Sequence, residues 1–150
     1  MPQSLFKIYA HIVFSTKGRY PYLDNSIRGE LFKYIGGICN NLDGQAITIG
    51  GYSDHVHILC VLPKNTPVMK FIQDIKAYSS KWIKGKGENY RKFYWQRGYG
   101  AFSVSPSQVE NVKTYISNQD EHHGKIPWNQ EYQNLLNNHK IDYNEEYLWD

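Results

Sequence analysis

The chain lacks long apolar runs and has only two cysteines among its 150 residues. Its apolar runs are far too short to cross a bilayer, and no charged-then-apolar signal segment opens it. Cys39 and Cys60 lie in apolar patterns, which favours small buried residues in a reducing compartment, although one disulfide between them stays open. Internal repeats and low-complexity segments are also lacking. These absences predict one cytoplasmic domain, residues 1–150, with a substantial core.

Acidic residues are scarce in the middle of the chain, although the net charge is only +3. Residues 64–97 hold nine basic and two acidic residues. Aromatic residues are interleaved with them, among them Tyr78, Trp82, Tyr90, Phe93, Tyr94 and Trp95. Basic groups beside stacking aromatics suit single-stranded nucleic acid. A solvated helix face with aromatics buried beneath it explains this stretch equally well.

The order of strand and helix patterns is typical of an α+β domain. Strand patterns occupy residues 5–15, 45–50, 55–62 and 101–104. Helix patterns occupy about 24–41 and 66–84. This order predicts a ferredoxin-like, RRM-like βαββαβ antiparallel sheet whose first and third strands are central, with both helices on one face. The residues expected under those helices are Ile8, Ala10, Ile12, Phe14, Val56, Ile58, Cys60 and Leu62.

The third strand carries two histidines, in Gly51-Tyr52-Ser53-Asp54-His55-Val56-His57. Successive strand residues point to opposite faces, so His55 and His57 share one face, on which His11 is also expected. Two adjacent imidazoles can bind a metal ion. Taken alone, the pair is more typical of half-buried strand residues than of a metal site.

A further helix is expected to cover the histidine face. Ser105 followed by Pro106 is a helix-start signal, and Val109, Val112 and Ile116 form an apolar stripe. At about 100° per residue, Tyr115 and Gln119 lie one turn apart at the edge of that stripe. Spacing alone makes Tyr115 an ordinary amphipathic residue. Beyond residue 124 the chain is acidic and polar, and its expected docking points are Leu135, Leu136, Tyr147, Leu148 and Trp149.

Together these segments resemble the single-tyrosine HUH transposases of the IS-two-hundred/IS-six-hundred-and-five insertion-sequence family (TnpA-like). The matching segments are Ser15-Thr16-Lys17, Gly51–His57, Trp95–Ser105 and Tyr115–Gln119 followed by His122-His123. They run in family order over nearly the whole chain. The match is loose only after Pro127, so the core is expected at about 5–124, followed by a tail at about 125–150.

The resemblance implies cleavage and rejoining of single-stranded DNA through a 5′-phosphotyrosine intermediate, to excise and insert an insertion sequence. Tyr115 would be the nucleophile, and His55, His57 and Gln119 would hold the metal, Mg²⁺ or Mn²⁺. Asp54 would either orient a metal-bound histidine or simply end a hairpin turn. His11 would either touch DNA or fill a polar seam. The other DNA-contact candidates are Lys17, Arg19, Lys81, Lys84, Arg91, Arg97 and His122.

The resemblance also implies the partners of the chain. The expected DNA is single-stranded, with hairpin-bearing element ends, in the nucleoid. The expected assembly is a homodimer that joins His55 and His57 of one subunit to Tyr115 and Gln119 of the other. No nucleotide cofactor is expected, because no Gly-rich phosphate-binding loop occurs.

Two alternatives stay open. One is a domesticated HUH nickase that cuts single-stranded DNA without mobilising an element; the flanking DNA would distinguish it. The other is a non-catalytic RNA- or single-stranded-DNA-binding module on the same sheet, which would present exposed aromatic residues where this sequence has histidines.

Overall fold

The computed structural model describes residues 2–119 and 126–150, which form a four-stranded antiparallel sheet with helices on both faces. The strands are β1 (Tyr9–Ser15), β2 (Gln45–Gly51), β3 (His55–Val61) and β4 (Gly100–Val104). The helices are α1 (Arg28–Asn41), α2 (Val68–Lys84), α3 (Val109–Ser117) and α4 (Trp128–Asn138). The spatial order β2-β3-β1-β4 confirms the ferredoxin-like prediction, with the first and third strands at the centre.

The larger core lies between the sheet and the first two helices. β1 pairs with β3 so that Ile12 faces Ile58, and the alternation sends both toward α1 and α2. Ala10, Phe14, Val56 and Cys60 lie in the same core, which confirms most of the predicted set. Ile8 is the exception, because it precedes β1 and is 46% exposed.

Both helices that cover this core begin later than predicted. The Asp24 side chain accepts hydrogen bonds from the backbone N–H and hydroxyl of Ser26 in a turn that precedes α1. The buried residues of α1 are Leu31, Ile35, Ile38 and Cys39, and those of α2 are Phe71, Ile72, Ile75, Ser79 and Ile83. Cys39 and Cys60 are both free thiols, so the disulfide left open by the sequence is not formed. Burial raises the pKa of Cys39 to about 12.

A second, smaller core lies on the opposite sheet face, where α4 packs. It contains Val13 and Phe102 from the sheet and Trp128, Tyr132 and Leu136 from α4. Leu135, Leu148 and Trp149 pack against it, as predicted for the tail. Tyr147 is 62% exposed, so its prediction as a docking point was wrong.

The third helix packs on β2 at a glycine. A Cβ atom on Gly50 would lie 2.6 Å from the backbone oxygen of Ile116, a distance that no side chain tolerates. Glycine therefore sets how closely α3 approaches the sheet. The helix ends at Ser117, so Gln119 lies beyond its end. The sequence predicted instead one continuous helix that carries both Tyr115 and Gln119.

No helix among the described residues is long and apolar enough to span a membrane.

Candidate active site

Two buried histidines on β3 form the centre of the site. The side chains of His55 and His57 are both fully buried, and their ring centroids are 5.1 Å apart. They lie on the sheet face opposite α1 and α2, as the alternation of β3 predicted. Trp128 of α4 stacks on the His55 ring at 4.1 Å and meets the His57 ring edge-on at 5.6 Å. A rigid strand and an aromatic cover thus fix both imidazoles.

The hydrogen bonds of His55 favour one tautomer of its ring. Its Nδ1 atom lies 2.8 Å from Oδ1 of Asp54, a carboxylate oxygen that accepts a hydrogen bond from Nδ1–H. Its Nε2 atom lies 3.0 Å from Oε1 of Gln119. A carboxylate on Nδ1 leaves the Nε2 lone pair available as a ligand, an arrangement frequent at metal-binding histidines.

His57 is held in a similar way by another histidine. Its Nδ1 atom lies 2.8 Å from Nε2 of His11, and its Nε2 atom lies 2.7 Å from Oε1 of Glu131. Burial, followed by the nearby His57, lowers the pKa of His11 well below its usual value. Neutral His11 can therefore accept a hydrogen bond from Nδ1–H of His57, which leaves Nε2 of His57 facing the Glu131 carboxylate.

Tyr115 of α3 lies directly beside this pair. Its ring centroid is 5.7 Å from that of His57 and 6.3 Å from that of His11. Burial, the negative charge of Glu131 and a hydrogen bond to that carboxylate raise the pKa of Tyr115 above its ordinary value, while a hydrogen bond from Gln119 opposes them. The hydroxyl is therefore protonated in this arrangement, and the phenol needs activation before it can act as a nucleophile.

The donor atoms at the centre fit a divalent cation. The ligand atoms of His55, His57 and Glu131 all lie within 4.8 Å of one another. Neighbouring ligands around an ion with bonds of about 2.1 Å are about 3.0 Å apart in an octahedron. The distance from Nε2 of His57 to Oε1 of Glu131 is 2.7 Å, and that from Nε2 of His55 to Oε1 of Gln119 is 3.0 Å. Both distances are close to that spacing. The mixed nitrogen and oxygen donors suit Mn²⁺ or Mg²⁺.

Glu131 and Trp128, which both lie on α4, were not predicted from the sequence. A signal was present, because Trp128, Glu131, Tyr132, Leu135 and Leu136 recur at helical spacing after Pro127. The acidic, polar composition of the tail obscured this pattern.

The predicted DNA-contact residues occupy different places. Lys17 and Lys84 both lie against the ring of Tyr94, with Nζ atoms 5.7 Å and 4.1 Å from its centroid. Arg19 lies over Trp149 at 5.0 Å. Arg97, Lys17, Tyr94 and Trp149 line one groove of about 610 Å³. Several predicted contacts thus converge on one basic and aromatic surface.

The remaining candidates lie elsewhere. Arg91 pairs with Glu88 at 2.8 Å, and Lys81 is exposed in the last turn of α2. His11 is only 3% exposed and forms a hydrogen bond with His57, which agrees with the polar-seam alternative. A contact between His11 and DNA stays a prediction. His122 lies outside the described residues.

A cleft of about 530 Å³ borders Tyr115 between β4, α3 and α4. Its lining includes the polar side chains of Ser103, Ser105, Gln108, Asn111 and His139 beside Val104, Val112 and Leu135. The cleft therefore offers an approach to the tyrosine from outside the buried histidine pair, with both polar and apolar side chains along it.

Solved structures confirm the fold. A candidate transposase from Deinococcus radiodurans is 20% identical, with a TM-score of 0.61 over 79% of this chain and 98% of that chain. A REP-associated tyrosine transposase bound to a REP hairpin is 14% identical, with a TM-score of 0.60 over 84% of this chain and 74% of that chain. No curated protein matches the sequence.

The sequence also matches a family profile described as "Transposase IS200 like", over residues 4–119. That match covers most of the chain and includes the histidine strand, Tyr115 and Gln119, whereas α4 lies beyond it. The chain therefore belongs to the IS200-like transposase family.

Proposed function

We propose that the chain is a single-stranded DNA transposase that cleaves and rejoins strands through a 5′-phosphotyrosine at Tyr115. The observation that carries the proposal is the position of Tyr115 beside the buried pair His55 and His57, in a chain of the transposase family. Excision and insertion of an insertion sequence would follow from repeated cleavage and rejoining. The related structure bound to a REP hairpin supports hairpin-bearing DNA as the partner.

The residues divide the chemistry among them. His55 and His57 would hold a divalent cation through Nε2, with Gln119 supplying an amide oxygen. When bound, the cation supplies polarisation of the phosphate oxygens and neutralises charge in the transition state. Asp54 and His11 would position the two imidazoles.

Cleavage and rejoining of the strand need no added energy source. The Tyr115 oxygen would lose its proton and attack phosphorus, forming a phosphotyrosine bond as the 3′-oxygen leaves and takes up a proton. Rejoining is the reverse: a 3′-hydroxyl attacks the phosphotyrosine, and the phenol recovers its proton. Because the phosphodiester energy stays in the covalent bond, ATP is unnecessary. Fixed placement of Tyr115 contributes to catalysis by making the attack intramolecular.

Metal dependence and strand preference test this proposal. With labelled oligonucleotides that carry the element ends, we expect cleavage of single-stranded DNA in Mg²⁺ and none in EDTA. Duplex DNA should stay intact, because the proposed substrate is a single strand. Equal cutting in EDTA, or a preference for duplex, would contradict the metal-assisted single-strand mechanism.

The surface around Tyr94 is the proposed path of the DNA backbone. Binding should weaken steeply with salt, since each neutralised phosphate releases counterions. The double variant Lys17→Ala/Lys84→Ala should reduce the slope of log affinity against log salt by about two. Lys33→Ala, on the exposed face of α1, is the matched control and should leave the slope unchanged. Fluorescence anisotropy at several salt concentrations measures this, and an unchanged slope in the double variant would show that these lysines do not contact phosphates.

We also propose the shared-site homodimer that the resemblance implies. In the single described chain, Gln119 and Tyr115 reach the histidines of the same chain. Exchange of α3 between two chains would reproduce the same contact of Ile116 on Gly50, now with the partner sheet. Both arrangements use the same residues, so a complementation experiment distinguishes them.

A further inference from the structure

We infer that Glu131 is a metal ligand, whose carboxylate adds a fourth protein ligand to His55, His57 and Gln119 and joins α4 to the sheet. The inference rests on the proposed metal-assisted function. It concerns a residue outside the family match, which ends at residue 119.

The position of the Glu131 carboxylate supports this role. Glu131 is 1% exposed, and its Oε1 atom lies 2.7 Å from Nε2 of His57. Its ligand atom lies within 4.8 Å of those of both histidines. Burying a carboxylate is costly unless positive charge compensates it. A cation shared with His55 and His57 supplies that charge.

The hydrogen bonds behind the histidines point in the same direction. His11 contacts Nδ1 of His57, and Asp54 contacts Nδ1 of His55. Both rings are therefore held from behind, with Nε2 atoms toward Glu131 and Gln119. This is the usual arrangement of metal-binding imidazoles with carboxylate or other partners behind them.

Packing of α4 holds Glu131 in place. Trp128 lies three residues earlier on the same helix face and stacks on His55, while Tyr132 stacks on Trp128 at 5.1 Å. The carboxylate is thus fixed by the aromatic packing. A charged oxygen binds Mg²⁺ or Mn²⁺ more strongly than the neutral amide of Gln119. Glu131 should therefore contribute more to metal affinity than Gln119.

The full chain is titrated with Mn²⁺, and the concentration of free ion is measured by electron paramagnetic resonance. This experiment tests whether Glu131 is a ligand without measuring activity. We expect Glu131→Gln to weaken Mn²⁺ binding by at least about tenfold. A loss of about tenfold in metal affinity is the smallest usual effect of replacing a residue that only hydrogen-bonds a metal ligand. Glu131→Asp keeps the charge but shortens the side chain, so it should also bind more weakly. Glu146→Gln makes the same charge change at an exposed tail position and should bind like the wild type.

The outcomes separate this inference from the proposed function. If wild type binds Mn²⁺ and Glu131→Gln binds equally well, Glu131 is not a ligand, while metal-assisted cleavage stands. If wild type binds no Mn²⁺, the metal part of the proposed function fails as well. If Glu131→Gln does not fold, Glu131→Asp decides: a rise in its melting temperature with Mn²⁺ equal to that of wild type overturns the inference.

Discussion

Replacing Tyr115 with phenylalanine should abolish the covalent protein–DNA adduct and leave DNA binding nearly unchanged. Only the hydroxyl is lost, and this hydroxyl is the atom proposed to attack phosphorus. The groove at Tyr94 shares no lining residue with the cleft at Tyr115 and should bind DNA as before. A denaturing gel with labelled single-stranded DNA measures the adduct, and anisotropy measures binding.

The chain has 13 tyrosines, so the choice of control is important. Tyr147→Phe removes a hydroxyl from a tyrosine that is 62% exposed, and it should form the adduct like the wild type. Melting curves confirm that both variants are folded. An adduct that persists in Tyr115→Phe would show that another tyrosine attacks, and the assignment of Tyr115 would be wrong.

Mixing two inactive variants should restore activity if the site is shared between subunits. His57→Ala removes a metal ligand, and Tyr115→Phe removes the nucleophile, so neither variant should cleave alone. A mixed dimer with exchanged helices contains one site with both residues intact. Random one-to-one assembly makes about half of the dimers mixed, so about a quarter of the wild-type sites should be intact.

Co-expression with two different tags yields the mixed dimers, and mass measurement verifies their composition. Cleavage assays then compare them with each variant alone. Restored cleavage supports exchange of α3. No restoration from verified mixed dimers would reject the shared site and leave the arrangement within one chain, with Gln119 against His55 of the same subunit.

The sheet and its histidine face were predictable from sequence because strand periodicity is strong in this chain. Alternation in β1 and β3 separated Ile12 and Ile58 from His11 and His57, and the structure places them on opposite faces. The two helices over the main core were also predictable from their apolar spacing. The first residue of α1 was not predictable, because the Asp24 side chain binds Ser26 in a turn before the helix.

The environment of the site was less predictable, since it depends on packing between distant segments. The pairing of Asp54 with His55 and of His11 with His57 needs the folded register of β1 and β3. Glu131 is 74 residues from its histidine partner (131 minus 57), and no local pattern connects them. Nothing in the sequence near Tyr115 indicated that its helix ends at Ser117, before Gln119.

Identification of the DNA-linked amino acid in the wild-type protein tests the central claim most directly. The protein is incubated with a single-stranded element end and Mg²⁺, the adduct is digested with protease and nuclease, and the modified peptide is sequenced by mass spectrometry. The account predicts a 5′-phosphate linked to Tyr115, formed in Mg²⁺ and not in EDTA. Cleaved DNA with its phosphate on any other residue, or with no protein attached, would contradict it.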